Sequence, residues 1–468
     1  MTRQPFDNLL QPVTVCDHYL DLSGAFLPGS IRDQMLRAQW IVDRMVEEQW
    51  IGLNRPLLVI GAGAMGASAA ITAAHYQREG HRIPVIIIDQ EPSPFSRQSA
   101  CRTRWIDPYG YDWPASHWRE THIARAPLPL ELMRVDLQWG AWLQHWQKEI
   151  EATRAITWYP QCTAAPQPEH YDSATQLWNV RIETQNGPIE VQAGAVVFCG
   201  GWGEERIRFG KTEHEGGNHL SAPFWKSDTL AELDCGLGSR TPRILIAGAG
   251  DGALQDLARA VTGLSAPQVM RLINHDLPLE WRHEIQEAAD QVSRSLQFVS
   301  STQKGELLRE LHETHQRVLG KLKASPDLYQ EITKIIKRQA RPWLDQEGAR
   351  LELVFRAPYL SPTYPLNHFV ALLLQDMFPD RLFFLPGHHV VKANCRTNQS
   401  ITEPAHCIGH PTDVTVVPVL ANGTHGPSEI RRNFNIVVNR TGNGLIPLVQ
   451  LLPHRHPHWK PRAAAVGT

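Results

Sequence analysis

Two stretches of the chain hold residues whose type and spacing suit phosphate binding. One is Gly61-x-Gly63-x-x-Gly66, inside LLVIGAGAMGASAAITAA, and the other is Gly248-x-Gly250-x-x-Ala253, inside RILIAGAGDGALQD. In such a turn the first glycine permits a tight bend and the second lets a pyrophosphate approach the backbone. The third small residue lets the following helix pack close to its strand. That helix then presents unpaired N–H groups and a partial positive charge to the phosphates. Ala64 and Met65 open the first helix, Asp251 and Gly252 the second, so all four join the candidate dinucleotide-binding residues. Ala253, in place of a third glycine, sets the second helix slightly further from its strand.

Asp89 ends the apolar run IPVIIID, about twenty residues beyond the first turn, where a carboxylate can accept hydrogen bonds from a ribose 2′-OH. Gln90 follows it and joins the same set. The second turn has no acid so cleanly placed. After QVMRLIN, read as its next strand, come Asn274, His275 and Asp276, with Arg271 and Arg282 nearby. An arginine favours a 2′-phosphate and an aspartate a free 2′-OH, so NADPH and NADH both stay open. The long aromatic loop EPSPFSRQSACRTRWIDPYGYDWPASHW is of the kind that often carries function. Trp105, Tyr109, Tyr111, Trp113 and His117 are its candidate pocket-wall residues. No catalytic residue can be named from the sequence.

Each glycine turn needs a strand before it and a helix after it. PLLVIG reads as a strand, AMGASAAITAAHYQREG as a helix ended by Gly80, and IPVIIID as the next strand. ELMRVDLQWGAWLQHWQKEIEA reads as a helix. LWNVRIETQNGPIEVQAGAVVFCGG reads as two or three strands, with Asn186-Gly187 as a hairpin signal. The stretch from Pro278 to Arg341 is helical and charged. LELVF, LFFLPG, DVTVVPVL and FNIVVN are short strands among proline-rich loops. Residues 1–55 read as a helical preface, with Met35, Trp40, Ile41 and Met45 at helical spacing.

The composition is that of a globular protein of two or three domains: 468 residues, 42% hydrophobic and 20% charged. A formal net charge of -2 gives no electrostatic reason to expect nucleic acid or an anionic membrane as partner. The seven cysteines include no C-x-x-C, and the number is odd, which argues against a disulfide framework. Cys395, His406, Cys407 and His410 do not follow a standard zinc spacing, so no metal is expected. The longest apolar run is interrupted by spaced glycines and reads as strand, turn and helix rather than a membrane span. The N-terminus lacks the pattern of a signal peptide. The expected location is the cytoplasm.

These motifs, in this order, resemble the two-dinucleotide-binding-domain flavoproteins. The match runs from Leu57 to Asp276 and includes AGAVVFCGG, where Cys199-Gly200-Gly201 takes the place of the family's Ala-Thr-Gly. The resemblance implies an α/β fold of two Rossmann-like dinucleotide-binding domains, the second inserted into the first. Residues 1–203 and 400–468 would bind FAD, and 204–399, with a helical insertion, would bind NAD(P)H. Among the branches, disulfide reductases need a cysteine pair beside the flavin, and amine oxidases use one dinucleotide fold. The flavin-dependent monooxygenases, including those that hydroxylate amine nitrogens, are the most similar. The chain departs from that branch late in the sequence. NIVVNRTGNG carries Asn435, Arg440 and Asn443 at unlike positions, HLSAPFW offers only His219 and Trp225, and the turn with Gly442 and Gly444 lacks an aspartate. The implied activity is an FAD-dependent oxidoreductase that takes hydride from NAD(P)H and acts on a small polar or amine-containing substrate. Two alternatives stand beside it: a non-catalytic nucleotide-sensing subunit with a partner protein, and a flavin-free NAD(P)-dependent dehydrogenase. Self-association and a partner enzyme both stay open.

Overall fold

Both glycine turns lie at the C-terminal end of a buried parallel strand, each in its own unit of the chain. The computed structural model describes residues 10, 13–23, 30–76, 82–108, 110–115, 126–201, 205–210, 212–228, 230, 241–295, 301–360, 363–397, 400–407, 409–420 and 423–441. Of these, 10–102 and 126–201 form the first unit, and 103–115 and 205–441 the second.

The first unit begins with β1 (Thr14–Cys16), β2 (Tyr19–Asp21) and α1 (Ile31–Glu47). Then follow β3 (Leu57–Ile60), α2 (Ala64–His75), β4 (Val85–Asp89), α3 (Val135–Thr153) and β5 (Ile156–Pro160). A hairpin of β6 (Leu177–Glu183) and β7 (Ile189–Ala193) precedes β8 (Ala195–Phe198). The main sheet runs β1-β2-β8-β3-β4-β5 and is parallel except between β1 and β2. Helix α2 is buried from Ala64 to Ala74, because it packs against both α1 and α3. Its run of alanine, glycine and serine lets those neighbours approach closely. Helix α1 starts in a capping box, in which Ser30 and Asp33 satisfy each other's backbone N–H groups. Met35, Ile41 and Met45 are buried as the spacing requires, whereas Trp40 faces solvent.

The second unit contains β9 (Arg243–Ala247), α4 (Asp251–Thr262) and α5 (Ala266–Ile273). Three further helices follow: α6 (Leu279–Ser295), α7 (Ser301–Lys323) and α8 (Pro326–Gln339). The chain re-enters the sheet at β10 (Arg350–Val354), then α9 (Pro365–Met377) and β11 (Leu382–Leu385). An antiparallel meander of β12 (His388–Cys395), β13 (Thr412–Pro418) and β14 (Glu429–Phe434) leads to β15 (Ile436–Asn439). The parallel sheet runs β11-β10-β9-β15. Strand β9 serves both faces with period two. Ile244 and Ile246 pack on the helix side with Leu254, Leu257 and Phe369, while Leu245 and Ala247 pack on the meander side with Val414 and Val416.

The two units therefore share one plan. Three parallel strands are laid down in order, an antiparallel segment follows, and a fourth parallel strand returns beside the first. In the first unit β6 contributes Trp178, Val180 and Ile182 against Leu58 and Ile60, as the meander does in the second.

Four expectations need correction. Residues 1–55 are not simply a helical preface, since β1 and β2 precede α1 and β2 pairs in the main sheet with β8. QVMRLIN is not the second strand; it lies in helix α5, which Ser265 and Gln268 start with a capping box and Pro267 in the first turn. The second strand of that unit is β10, reached only after three more helices. Residues 400–441 do not return to the first domain, since β15 pairs in register with β9. Residues 103–115 likewise belong to the second unit. The stretch 442–468, including Gly442, Asn443 and Gly444, lies outside the described residues, as do Gly80 and the histidine-rich tail.

Candidate dinucleotide sites

The first turn is built where β3 meets α2. Gly61 takes φ +103°, and a Cβ there would sit 2.5 Å from the carbonyl oxygen of Cys199, so both conformation and space demand glycine. The bend is pinned on both sides. Gly61 N–H donates to Ile88 O at 2.8 Å, and Cys199 N–H donates to Ile60 O at 2.7 Å. A Cβ on Gly66 would meet Gly61 O at 1.9 Å, which is the close helix–strand approach read from the sequence. Gly63, the N-cap of α2, is different. A Cβ on it would meet nothing within 4 Å, and no side chain caps the helix. Its first turn, Ala64 to Gly66, contains no acid, so the positive end of the helix dipole is not offset locally.

Asp89 stands beside this turn. Its Oδ2 accepts the Ala62 N–H at 2.5 Å and its Oδ1 accepts the Glu91 N–H at 2.8 Å. Each carboxylate oxygen retains a second acceptor position. Gln90 is exposed at the end of the strand. Cys199, behind the turn, is buried, and burial raises its thiol well above the usual range, so it is held as the neutral thiol.

The second turn repeats this construction. Gly248 takes φ +125°, and a Cβ there would lie 2.2 Å from Arg440 O. Gly248 N–H donates to Val354 O at 2.8 Å and Arg440 N–H to Ala247 O at 2.7 Å. Gly250, the N-cap of α4, faces open space as Gly63 does. In each unit the open glycine lies where the returning strand and the second strand flank the first on opposite sides. This is the topological switch point at which open α/β sheets bind ligands.

The two turns differ in their first helical residues. Asp251 directs its Oδ1 to the Tyr364 N–H at 2.9 Å and to Asn367 Nδ2 at 2.6 Å. It thus ties the start of α4 to the start of α9. Gly252 lies under the Phe224 ring, 3.2 Å from where its Cβ would be, and Ala253 is fully buried.

Beside this turn lies a buried ionic cluster that sequence reading missed. Arg104 Nη1 reaches Asp256 Oδ1 at 2.8 Å and its Nη2 reaches Asp228 Oδ2 at 3.2 Å. Arg259 bridges the same two carboxylates, at 2.6 Å to Asp228 and 3.1 Å to Asp256. Arg440 Nε donates to Asp256 Oδ2 at 2.8 Å. Three guanidiniums and two carboxylates leave one net positive charge. Arg104 also stacks its guanidinium 3.5 Å from the centroid of Phe224. Burial alone would raise the Asp256 carboxyl, but Arg104, Arg440 and Arg259 together hold it well below the usual carboxylate range. The signal was present in the sequence as Asp256 and Arg259, one helical turn apart on an otherwise buried helix.

The aromatic loop does not form the expected pocket wall. Trp113 is a core residue of the second unit, its Nε1–H bonded to Asn274 Oδ1 at 2.9 Å and its ring tilted against Phe369. An indole so buried needs a partner for its N–H, and Asn274, expected at a ribose, supplies it. Arg271, another of the expected ribose neighbours, pairs with Asp107 at 2.9 Å. Trp105 is exposed; Tyr109 and His117 lie outside the described residues, as does the Tyr111 side chain. Among the described residues, no cluster of three or more His, Cys, Asp or Glu is placed to hold a metal, and no helix is long and apolar enough to cross a membrane.

No protein-family model matches the chain, and no curated protein does. Several solved structures are similar to it at low identity. The bacillithiol disulfide reductase of Staphylococcus aureus has a TM-score of 0.35 and 12% identity, over 82% of this chain and 75% of its own. The ornithine N-hydroxylase of Kutzneria sp. 744, in a complex with NADP+, has 0.37 and 12%, over 86% and 84%. A cadaverine monooxygenase of Erwinia amylovora, bound to FAD, has 0.39 and 11%, over 84% and 79%. The fold itself is assigned from strand order: two α/β units, each with a parallel sheet and a Rossmann-type glycine turn at its switch point.

Proposed function

We propose that the protein is an FAD-dependent oxidoreductase that takes hydride from NAD(P)H, with FAD at the first turn and NAD(P)H at the second. The observation that supports this most is the repetition of one turn, open at its middle glycine, at the switch point of two separate sheets. Bound there, the flavin supplies two-electron chemistry between a nicotinamide and an acceptor. The chain's own residues bind and orient. Gly63 leaves the pyrophosphate its approach, the acid-free start of α2 receives it, and Asp89 has acceptor positions for a ribose hydroxyl. Gly250 leaves the same approach in the second unit.

The finer reading is a monooxygenase acting on a small polar or amine-containing substrate in the cytoplasm. Its support against disulfide exchange is Cys199, the thiol behind the first turn, which burial keeps protonated. None of the described cysteines is in a disulfide. In air, FAD-loaded protein is expected to oxidise NADPH, and across a panel of small amines one should yield a hydroxylated product. NADPH oxidation that gives only hydrogen peroxide throughout the panel would contradict the monooxygenase reading. Absence of NADPH and NADH oxidation with every acceptor tried would contradict the oxidoreductase reading.

A further inference from the structure

The shared hydrogen bonds put the two units in exact register, residue by residue, at the place where a nucleotide ribose is read. In the first unit Ile88 O accepts the N–H of the turn glycine, and the next two residues are Asp89 and Gln90. In the second unit Val354 O accepts the N–H of Gly248, and the next two are Phe355 and Arg356. The ribose-reading carboxylate of the first unit is therefore replaced in the second by a buried phenylalanine, packed on Phe384. An exposed arginine follows it. With no carboxylate at that position, a free 2′-OH loses its acceptor and a 2′-phosphate loses its repulsion.

The surroundings carry further positive charge. Arg356 and Arg206 both act on His389, which opens β12, and the His389 and His425 rings are 5.5 Å apart. The His389 pKa is pushed down to about 4, by burial first and then by these neighbours, so its imidazole is neutral near pH 7. Its Nδ1 is buried with no hydrogen-bond partner among the described residues. Being neutral, the imidazole leaves Arg356 and Arg206 as the local positive charges.

We propose that Arg356, two residues beyond β10, makes the second turn selective for a dinucleotide whose adenosine ribose carries a 2′-phosphate, and that the reductant is NADPH. The guanidinium supplies the forked donor pair that phosphate oxygens accept. This rests on the reading of the second turn as the nicotinamide-dinucleotide site.

The experiment is equilibrium binding to the full chain, loaded with FAD, of four probes: NADPH, NADH, 2′,5′-ADP and 5′-AMP. Wild type is expected to bind each 2′-phosphorylated probe about tenfold or more tightly than its partner. Arg356→Ala should abolish that preference while leaving 5′-AMP affinity unchanged, and Arg356→Lys should restore part of it. Equal affinity for NADPH and NADH in wild type would overturn the proposal while leaving the donor site in place. So would an Arg356→Ala variant that keeps the preference, or that loses 5′-AMP equally. If none of the four probes binds, the donor-site reading itself fails, and this proposal with it.

Discussion

Gly63→Leu is expected to yield a folded protein that no longer retains flavin. The Gly63 backbone, φ -68° and ψ -178°, is open to any L-residue, and no protein atom lies within 4 Å of the new Cβ. Loss of glycine from an N-cap costs the fold at most about 1 kcal/mol. The side chain instead enters the space that the turn leaves beside the helix N-terminus. Steric exclusion of the pyrophosphate should weaken FAD binding ~100-fold, equivalent to about 3 kcal/mol. Flavin content of the purified variant and FAD titration of the apoprotein measure this, with thermal unfolding as the control. Gly61→Ala makes the contrast. Its Cβ would overlap the Cys199 carbonyl at a left-handed φ, so it should damage folding itself. Stoichiometric flavin in Gly63→Leu would show that the dinucleotide lies elsewhere.

The second large effect is on stability. Asp256→Ala removes the carboxylate that touches Arg104, Arg259 and Arg440, all nearly buried. Asp228 would then face two of the three guanidiniums alone, and Arg440 would keep only carbonyl partners, Ala222 O at 2.8 Å and Asn439 O at 3.0 Å. Breaking a buried pair by removing one partner costs about 3–5 kcal/mol. Denaturant unfolding should show that loss as a lower midpoint at unchanged slope. A second substitution, Arg440→Met, should recover part of it by removing a stranded charge. The sign with pH follows from the depressed carboxyl. Its contribution is fully present above the unfolded pKa of about 3.9 and is lost as pH falls through the lower folded value. A change below about 1 kcal/mol in Asp256→Ala would mean that the cluster is better hydrated than its burial indicates.

What could be read from the sequence depended on how local each constraint was. The glycine turns were legible because a left-handed bend against a neighbouring carbonyl admits almost no other residue. Strands β3, β4 and β9 were legible as apolar runs flanking those turns. QVMRLIN misled because a short apolar run suits either a strand or a buried helix. The signal that settles it, Ser265-x-x-Gln268 with Pro267, begins three residues before the run and ends on its first residue. That β10 lies beside β9 was not legible at all, since five helices separate them and only strand pairing joins them. For the same reason the position in the second unit that corresponds to Asp89 could not be located, and Arg356 was not among the expected residues. Trp113 and Arg104 were hidden differently. They sit in an aromatic loop that looks exposed, but one has its N–H satisfied by Asn274 and the other its charge satisfied by Asp256 and Asp228.

In the proposed division of labour FAD sits at the first turn and NAD(P)H at the second, and Gly250→Leu separates the two. The variant, loaded with FAD, is mixed anaerobically with NADPH while the blue absorbance band of oxidised flavin is followed, and dithionite is added afterwards. The variant is expected to retain FAD as wild type does; NADPH should bleach wild type but not the variant, and dithionite should bleach both. Rapid bleaching of Gly250→Leu by NADPH, or loss of its FAD, would contradict that division of labour.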